Sequence, residues 1–524
     1  GTKNFLEKMT GDSRKDANLI GQFGVGFYSS FMVADRVDVV SRKAGDDNAW
    51  KWTSDGKGKY EVTPAERESF GTTVILHLND EGHEYANRWE IEAVVKKYSN
   101  HIPFPIFVHF DSVTHEGEGE KRKEKRERKV EQVNSASALW RRPKADLTPE
   151  DYTEFYKTLT GENDEPLFHV HTRAEGTQEY VTLFYVPRHA PFDLYHADYR
   201  PGVKLYVKRI FITDDAKELL PVYLRFVRGI IDSEDLPLNV SREILQQNRI
   251  LSSITTASTK KLLSEFKTIS ENNPELYASF IAEFNRPLKE GLYSDFANRE
   301  SLLELVRFKS TGADGFTSLA AYVVRMKEDQ TGIYYINGGK EENLRDSPLL
   351  ETYKARGYEV LIMVDEIDEI VVPTIGKFRE KELKSVNMSG TAEDLKGEGS
   401  KEKEEDLKPL LSKIKLVLGE KVKDVRASGR LEESPSCIVS DEGDPTLQLQ
   451  QMLKALGQKD VPAFVPILEV NPDHEIEKKM RETADQELIE DASFLLLDQA
   501  LLAEGGVVEK PAEFVNRLNR VLNR

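Results

Sequence analysis

Arg242 is the residue whose type and position most demand a chemical explanation. It stands in Ile231-Asp232-Ser233-Glu234-Asp235-Leu236-Pro237-Leu238-Asn239-Val240-Ser241-Arg242-Glu243-Ile244-Leu245-Gln246-Gln247-Asn248, which reads as a loop running into a helix. Pro237 stiffens the approach, Asn239 or Ser241 can cap a first helical turn, and Ile244 and Leu245 give that turn an apolar side. A cation in such a turn opposes the helix macrodipole, at a cost of a few tenths to about 1 kcal/mol. An arginine projecting from that junction, with the Gln246 amide one turn later on the same face, suits a planar, permanently charged contact to a phosphate. A surface salt bridge from Arg242 to Glu243 or Asp235 is the plainer reading of the same residues.

A second group of candidates lies near the start. Ile20-Gly21-Gln22-Phe23-Gly24-Val25-Gly26-Phe27-Tyr28-Ser29-Ser30-Phe31 sets three glycines where a loop turns into a helix. Glycines there let backbone amides approach an anion, which a helix N-terminus favours. The order G-x-x-G-x-G is not the dinucleotide fingerprint, and a tight turn with no ligand fits it equally. Asp365-Glu366-Ile367-Asp368-Glu369 follows a strand-like run and could hold a divalent metal, or could simply be solvated loop charge. Cys437, the single cysteine, sits in Ser436-Cys437-Ile438-Val439, which reads as a buried strand with an inert thiol.

The elements that must position these groups belong to a long, acidic chain. Its 524 residues suggest about three domains. Lys and Arg number 73 against 91 Asp and Glu, a net charge of -18, which argues against general affinity for nucleic acid or anionic membranes. No apolar run is long enough to span a bilayer, since Phe494–Ala503 is broken by Asp498 and Gln499. One cysteine excludes an internal disulfide framework and fits a reducing cytosol. The first residue is Gly1, with no signal segment, so the chain is expected to begin inside a longer gene product.

In order, Arg36–Arg42, a short strand bearing Trp50 and Trp52, and Gly71–Leu78 read as core strands. The charged run 116–132 reads as a solvated linker. Trp140 precedes a helix over Pro149–Thr160. Strands are expected at Tyr180–Val186 and Val203–Ile212, followed by an apolar helix with Leu220, Tyr223 and Phe226. Ile333–Ile336, a helix near Pro348–Arg356, and Glu359–Met363 alternate as β-α-β, which predicts a small parallel sheet. A second linker is expected at Ser389–Glu405. Leu407–Leu418, Leu447–Leu456, Ala484–Glu504 and Pro511–Leu522 read as helices. In the last of them Phe514, Leu518, Val521 and Leu522 share one face.

Several of these segments match one family. Ile20–Ser29, Ala190-Pro191-Phe192-Asp193-Leu194, Lys204–Ile212, Asp232–Gln247 and Leu496–Leu502 together resemble the heat-shock protein 90 chaperones, in the right order and over essentially the whole length. The short linker and the ending Asn519–Arg524, without an acidic co-chaperone tail, are similar to the bacterial members. The resemblance implies a cytoplasmic, ATP-dependent stress chaperone with an α/β multidomain fold. Residues 1–115 would be the C-terminal part of a GHKL-type nucleotide-binding α/β sandwich, 116–132 a charged linker and 133–388 an α/β middle domain. Residues 389–405 would be a second linker and 406–524 an α+β dimerisation domain ending in helices.

By the same resemblance Gly21, Gln22, Phe23, Gly24, Val25, Gly26 and Phe27 match the amide cradle under the nucleotide lid, and Thr72 the threonine near the adenine. Arg242 matches the arginine that reaches the γ-phosphate of ATP, with Gln246 beside it. The cofactor implied is ATP with Mg2+. The general-base glutamate, the metal-linked asparagine and the adenine-binding aspartate of the family lie upstream of Gly1, so turnover by this chain alone is not expected. A homodimer is expected through Phe494, Leu497, Leu501, Phe514, Leu518 and Leu522. Non-native client proteins are expected at Trp140, Met452, Leu453 and Leu456, with ordinary core packing the alternative there; other chaperones are further expected partners. A gyrase or mismatch-repair type ATPase is a competing class. Its phosphate lysine and basic DNA surface are not matched by Arg242 and the charge of -18. A nucleotide-independent client-binding scaffold is the other.

Overall fold

The computed structural model describes residues 26–116, 123–238, 248–395, 400–455, 457–458, 461 and 463–523. The chain divides into two compact units, residues 1–221 with 225–259, and residues 222–224 with 260–524. Both mix helix and sheet.

The first unit opens with a helical turn, Gly26–Ser29, and helix α1, Ser30–Val33, leading into β1 (Ala34–Arg42), β2 (Ala49–Ser54), β3 (Tyr60–Ala65) and β4 (Gly71–Leu78). These form an antiparallel sheet in the order β3-β2-β1-β4. The Trp50 and β4 positions expected in the core are substantially exposed: Trp50 51%, Val74 48%, Ile75 42% and Leu76 38%. Apolar alternation makes a strand, but only a covering layer buries its face.

Helix α2 (Arg88–Tyr98) follows, with Asn87 as its N-cap. The charged run expected to be a linker is instead a strand. Lys123–Gln132 (β6) pairs antiparallel with Phe107–Glu116 (β5) over ten residues. Alternating charge of both signs suits a ribbon with solvent on its faces, and pairs such as Asp111 opposite Arg128 are favourable.

Beyond helix α3 (Pro149–Thr160), the first unit builds a five-stranded sheet, β10-β9-β11-β8-β7. Its strands are β7 (Phe168–Ala174), β8 (Tyr180–Val186), β9 (Gly202–Val207), β10 (Ile210–Thr213) and β11 (Arg228–Ser233). The single strand expected over Val203–Ile212 is thus a hairpin, turning through Lys208 and Arg209, both at positive φ. The helix expected around Tyr223 is a short 3-10 turn, Val222–Leu224. Gly229 lets β11 lie against β8, since a Cβ there would sit 2.2 Å from the Leu183 carbonyl oxygen.

Helix α4 (Arg249–Asn272) leads into the second unit, where α5 (Pro274–Ser294) packs on a six-stranded sheet. Its strands are β12 (Phe308–Ser310), β13 (Phe316–Thr317), β14 (Gly332–Asn337), β15 (Val360–Met363), β16 (Lys377–Phe378) and β17 (Lys381–Ser385), in the order β13-β12-β15-β14-β17-β16. β14 and β15 are parallel, as the β-α-β alternation predicted. Helix α6 (Asp368–Ile375) follows β15. Ser389–Leu395, expected in a linker, is a 3-10 turn whose Leu395 is 2% exposed in the core.

Helix α7 (Ser400–Leu418) then leads to β18 (Asp424–Ala427), β19 (Ser436–Val439) and β20 (Ile467–Val470), a three-stranded sheet. Helices α8 (Leu447–Ala455), α9 (Glu475–Glu482), α10 (Gln486–Ala503) and α11 (Pro511–Leu522) complete the chain. α10 buries Ile489, Ala492, Leu496, Leu497 and Ala500 in the unit's own core. Leu497 is therefore not free for a partner, and Phe494 and Leu501 are partly buried against the same core. On α11 no residue is buried, and Leu518 and Leu522 are exposed.

Candidate functional site

Of the residues expected to handle nucleotide, Gly21, Gln22, Phe23, Gly24 and Val25, together with Arg242 and Gln246, lie outside the described residues. Gly26, Phe27 and Thr72 are described. Gly26 opens the turn that Ser29 closes, its hydroxyl donating to the Gly26 carbonyl at 2.5 Å. A Cβ on Gly26 would meet nothing within 4 Å among the described residues. Phe27 packs edge-on against Trp52, with ring centroids 5.5 Å apart.

Strand register places Thr72 on the same sheet face. Trp52 opposes Val39, Val39 opposes Val74, and Ser41 opposes Thr72, and directly opposed residues share a face. The hydroxyls of Ser41 and Thr72 are 2.9 Å apart. Thr72 is exposed on a face whose apolar neighbours are themselves partly open. On the opposite face lies the buried Asp38. Burial alone would raise its carboxyl, but hydrogen bonds from Lys51 and His77 bring it down to about 2.

The segment that carries Arg242 follows β11 in the chain, and the end of β11 is firmly anchored. Asp232, fully buried, accepts from Trp140 Nε1 at 2.8 Å, Arg141 Nε at 2.7 Å and the Arg209 amide at 3.1 Å. The last bond holds the strained Lys208-Arg209 turn. Ser233 Oγ accepts from the amides of Asp235 and Leu236, and Asp235 accepts from the Glu179 amide at 2.7 Å. Beyond that segment, Asn248 caps α4 through the Ile250 amide at 2.9 Å. Sequence reading missed Asp232 as an anchor; an aspartate among apolar strand residues, Ile230 and Ile231, was the available signal.

Trp140 is 1% exposed, tilted against Tyr206 and edge-on to His101 at 4.7 Å. It is a core residue and offers no client surface. Met452 and Leu453 on α8 are partly exposed, whereas Leu456 lies outside the described residues.

Met452 lines a cavity of about 490 Å3 in the second unit, at the carboxyl ends of β14 and β15. Open parallel sheets place ligands at such ends. Asn337, Met363, Asp365, Asp368 and Glu369 also line it. The acidic cluster is solvated only in part, with Glu366 exposed and Asp368 buried. Lys289, 2% exposed, bridges Asp365 at 2.7 Å and Asp368 at 2.8 Å, and no metal-binding group of His, Cys, Asp or Glu occurs among the described residues. Cys437 lies buried on β19, where burial pushes its thiol well up, so it is unreactive as expected. No described helix is long and apolar enough to cross a membrane.

Comparison with known proteins places this architecture. The family model of the Hsp90 protein matches residues 109–524. The chaperone protein HtpG of Treponema denticola is 58% identical over 541 residues, covering 100% of this chain and 84% of its own length. That of Treponema pallidum is 53% identical over 100% of this chain and 85% of its own, and that of Aliarcobacter butzleri 53% over 99% and 84%. With a family model covering most of its length and whole-chain identity above one half, the chain belongs to the Hsp90 family of molecular chaperones.

Proposed function

We propose that the chain serves in an ATP-driven, homodimeric chaperone of non-native proteins in the cytoplasm, with turnover requiring the upstream residues that the resemblance implies. Hsp90 chaperones are ATPases that act on client proteins, generally as dimers. The observation that carries the reading is the 58% identity, over the whole chain, to a protein named as a chaperone. In this reading residues 1–115 belong to the nucleotide domain, 133–388 to the middle domain and 406–524 to the dimerisation domain.

The described residues fit a nucleotide. The exposed Thr72 hydroxyl on a partly open apolar sheet face suits a base, and no described residue stands within 4 Å of where a Cβ on Gly26 would be, which leaves room for a phosphate. Bound ATP, with Mg2+, supplies the phosphoanhydride whose cleavage drives the cycle. The backbone amides of residues 21–27 would cradle its phosphates, and Thr72 would orient its base. Arg242, with Gln246 beside it, would set a permanent positive charge against the γ-phosphate. The anchoring of Asp232 and Asn248 on either side of the Arg242 segment supports this role, because the residues flanking it are fixed on rigid elements. Exposed Leu518 and Leu522 on α11 support dimerisation, and Met452 and Leu453 on α8 support client contact.

Arg242→Ala tests the catalytic part. With the upstream segment that the resemblance implies fused ahead of Gly1, ATP turnover should fall about 10- to 1,000-fold while nucleotide affinity changes little. Unchanged turnover would remove Arg242 from the mechanism. Suppression of aggregation of a heat-unfolded protein by the fused chain tests the chaperone reading itself.

A further inference from the structure

The hairpin between β9 and β10 turns through two residues, Lys208 and Arg209, closed by the pair Val207 and Ile210. They stand at φ 52° and 67°. A two-residue hairpin loop that needs positive φ at both positions favours Asn-Gly, because a Cβ is strained there. Two long basic residues are the unfavourable choice, and strain of this kind persists where a side chain has work to do.

That work is not done inside the protein. The turn is held through its backbone, the Lys208 amide donating to the Ser233 carbonyl at 3.0 Å and the Arg209 amide to Asp232 Oδ1 at 3.1 Å. Among the described residues no hydrogen bond or ion pair engages the Lys208 ammonium or the Arg209 guanidinium, although both residues are only partly exposed. The acids at that end of β11 are served by Arg141, which holds Asp232 at 2.7 Å and Glu234 at 2.8 Å. Cations partly withdrawn from water without an acceptor are unfavourable. The strained two-residue turn between β16 and β17, Arg379-Glu380, shows the contrast: Arg379 pairs with Glu304 at 3.5 Å and lies 5.2 Å over the Phe378 ring.

We infer that the Lys208-Arg209 turn is a binding site for a phosphate group. A phosphate has enough acceptor oxygens to take both an ammonium and a planar guanidinium, and the two charges sit on a backbone fixed to the rigid end of β11. The phosphate can come from the triphosphate of a nucleotide or from a free polyphosphate anion. In the first case the site rests on the ATP reading and adds two charges to the nucleotide contacts of the first unit.

Inorganic tripolyphosphate titrated calorimetrically into the whole chain is the probe, with a polyglutamate heptapeptide as the carboxylate control. Lys208→Asn with Arg209→Gly installs the residues the turn favours, so this double variant should raise the denaturant midpoint of tryptophan fluorescence while weakening tripolyphosphate about tenfold or more. Lys208→Gln with Arg209→Gln, which keeps long side chains and removes the charge, should weaken it equally. Unchanged affinity in either variant, no binding at millimolar tripolyphosphate, or equal affinity for the glutamate peptide overturns the inference. A lower midpoint with unchanged binding, the result expected if the two stems only pack on the sheet, overturns it as well. The source is decided with the upstream segment fused ahead of Gly1. A fall in ATP turnover in the Gln double variant, with ADP affinity little altered, assigns the phosphate to the nucleotide; unaltered turnover beside the loss of tripolyphosphate assigns the site to free polyphosphate. A fused chain that hydrolyses no ATP would remove the ATP reading and leave the site, because the calorimetry does not depend on turnover.

Discussion

Asp232 shows how one buried charge can organise several segments. Its carboxylate accepts from Trp140, Arg141 and the strained Arg209 amide, so removing it leaves three donors without their partner. Asp232→Ala is expected to destabilise the first unit by about 3–5 kcal/mol, the cost of breaking a buried charged network, read as a lower denaturant midpoint of tryptophan fluorescence. Glu477 on α9 makes a different case. It is fully buried, with His474 Nδ1 3.3 Å from Oε2, and burial, outweighing its own backbone amide and the charge of Arg481, pushes its carboxyl from 4.5 up to about 8. A raised acid favours folding most when protonated in both states. The contribution of Glu477 to stability should therefore be greatest below about pH 4.5 and be lost between there and pH 8, by at most roughly 1.4 kcal/mol per pH unit. Glu477→Gln should flatten that slope, leaving the variant more stable than the parent at pH 8 and equal to it at pH 4. An unchanged slope would show that Glu477 is not the group responsible.

Helices α10 and α11 both carry apolar residues and meet different fates. α10 turns Leu496 and Leu497 into its unit's own core. α11 buries nothing, although Arg520 ties it to Asp491 at 2.7 Å and Arg517 stacks 3.8 Å over Phe494. Its salt bridges fix its seat and leave Leu518 and Leu522 outward. Replacing both by Asp should convert dimers to monomers in sedimentation experiments, with the folding midpoint little altered because both side chains are already exposed. A variant that still sediments as a dimer would move the interface elsewhere.

The two compact units offer an unusual pair of reporters. All four tryptophans, at positions 50, 52, 89 and 140, lie in the first unit, and the single cysteine, Cys437, lies buried in the second. Tryptophan fluorescence and thiol labelling therefore follow different units during unfolding. Because each unit has its own hydrophobic clusters, the two signals should give separate denaturant midpoints. Coincident midpoints would show that the units unfold as one.

The sequence by itself determined the elements whose pattern is local. The parallel pair β14 and β15, the strand carrying Cys437 and the amphipathic α11 follow from periodicity and composition, and the long ordered motifs identify the family. Only the tertiary structure decided which apolar residues are covered. Trp140 and Trp50 are both aromatic residues among polar neighbours, but one is enclosed by Tyr206, His101 and Phe155 while the other stands half exposed on an open sheet. Burial is a property of what packs on a residue, and that partner is distant in sequence. The same holds for charge. The run from Lys123 to Gln132 has the composition of a linker, and its pairing with β5 makes it a strand. Asp368 and Glu369 look alike in a loop of acids, yet Lys289, some eighty positions earlier, neutralises one and leaves the other facing the cavity without a counter-charge. Local pattern fixes the hydrogen-bonding period of a segment, whereas the electrostatic partner of a buried group comes from wherever the fold brings the chain back.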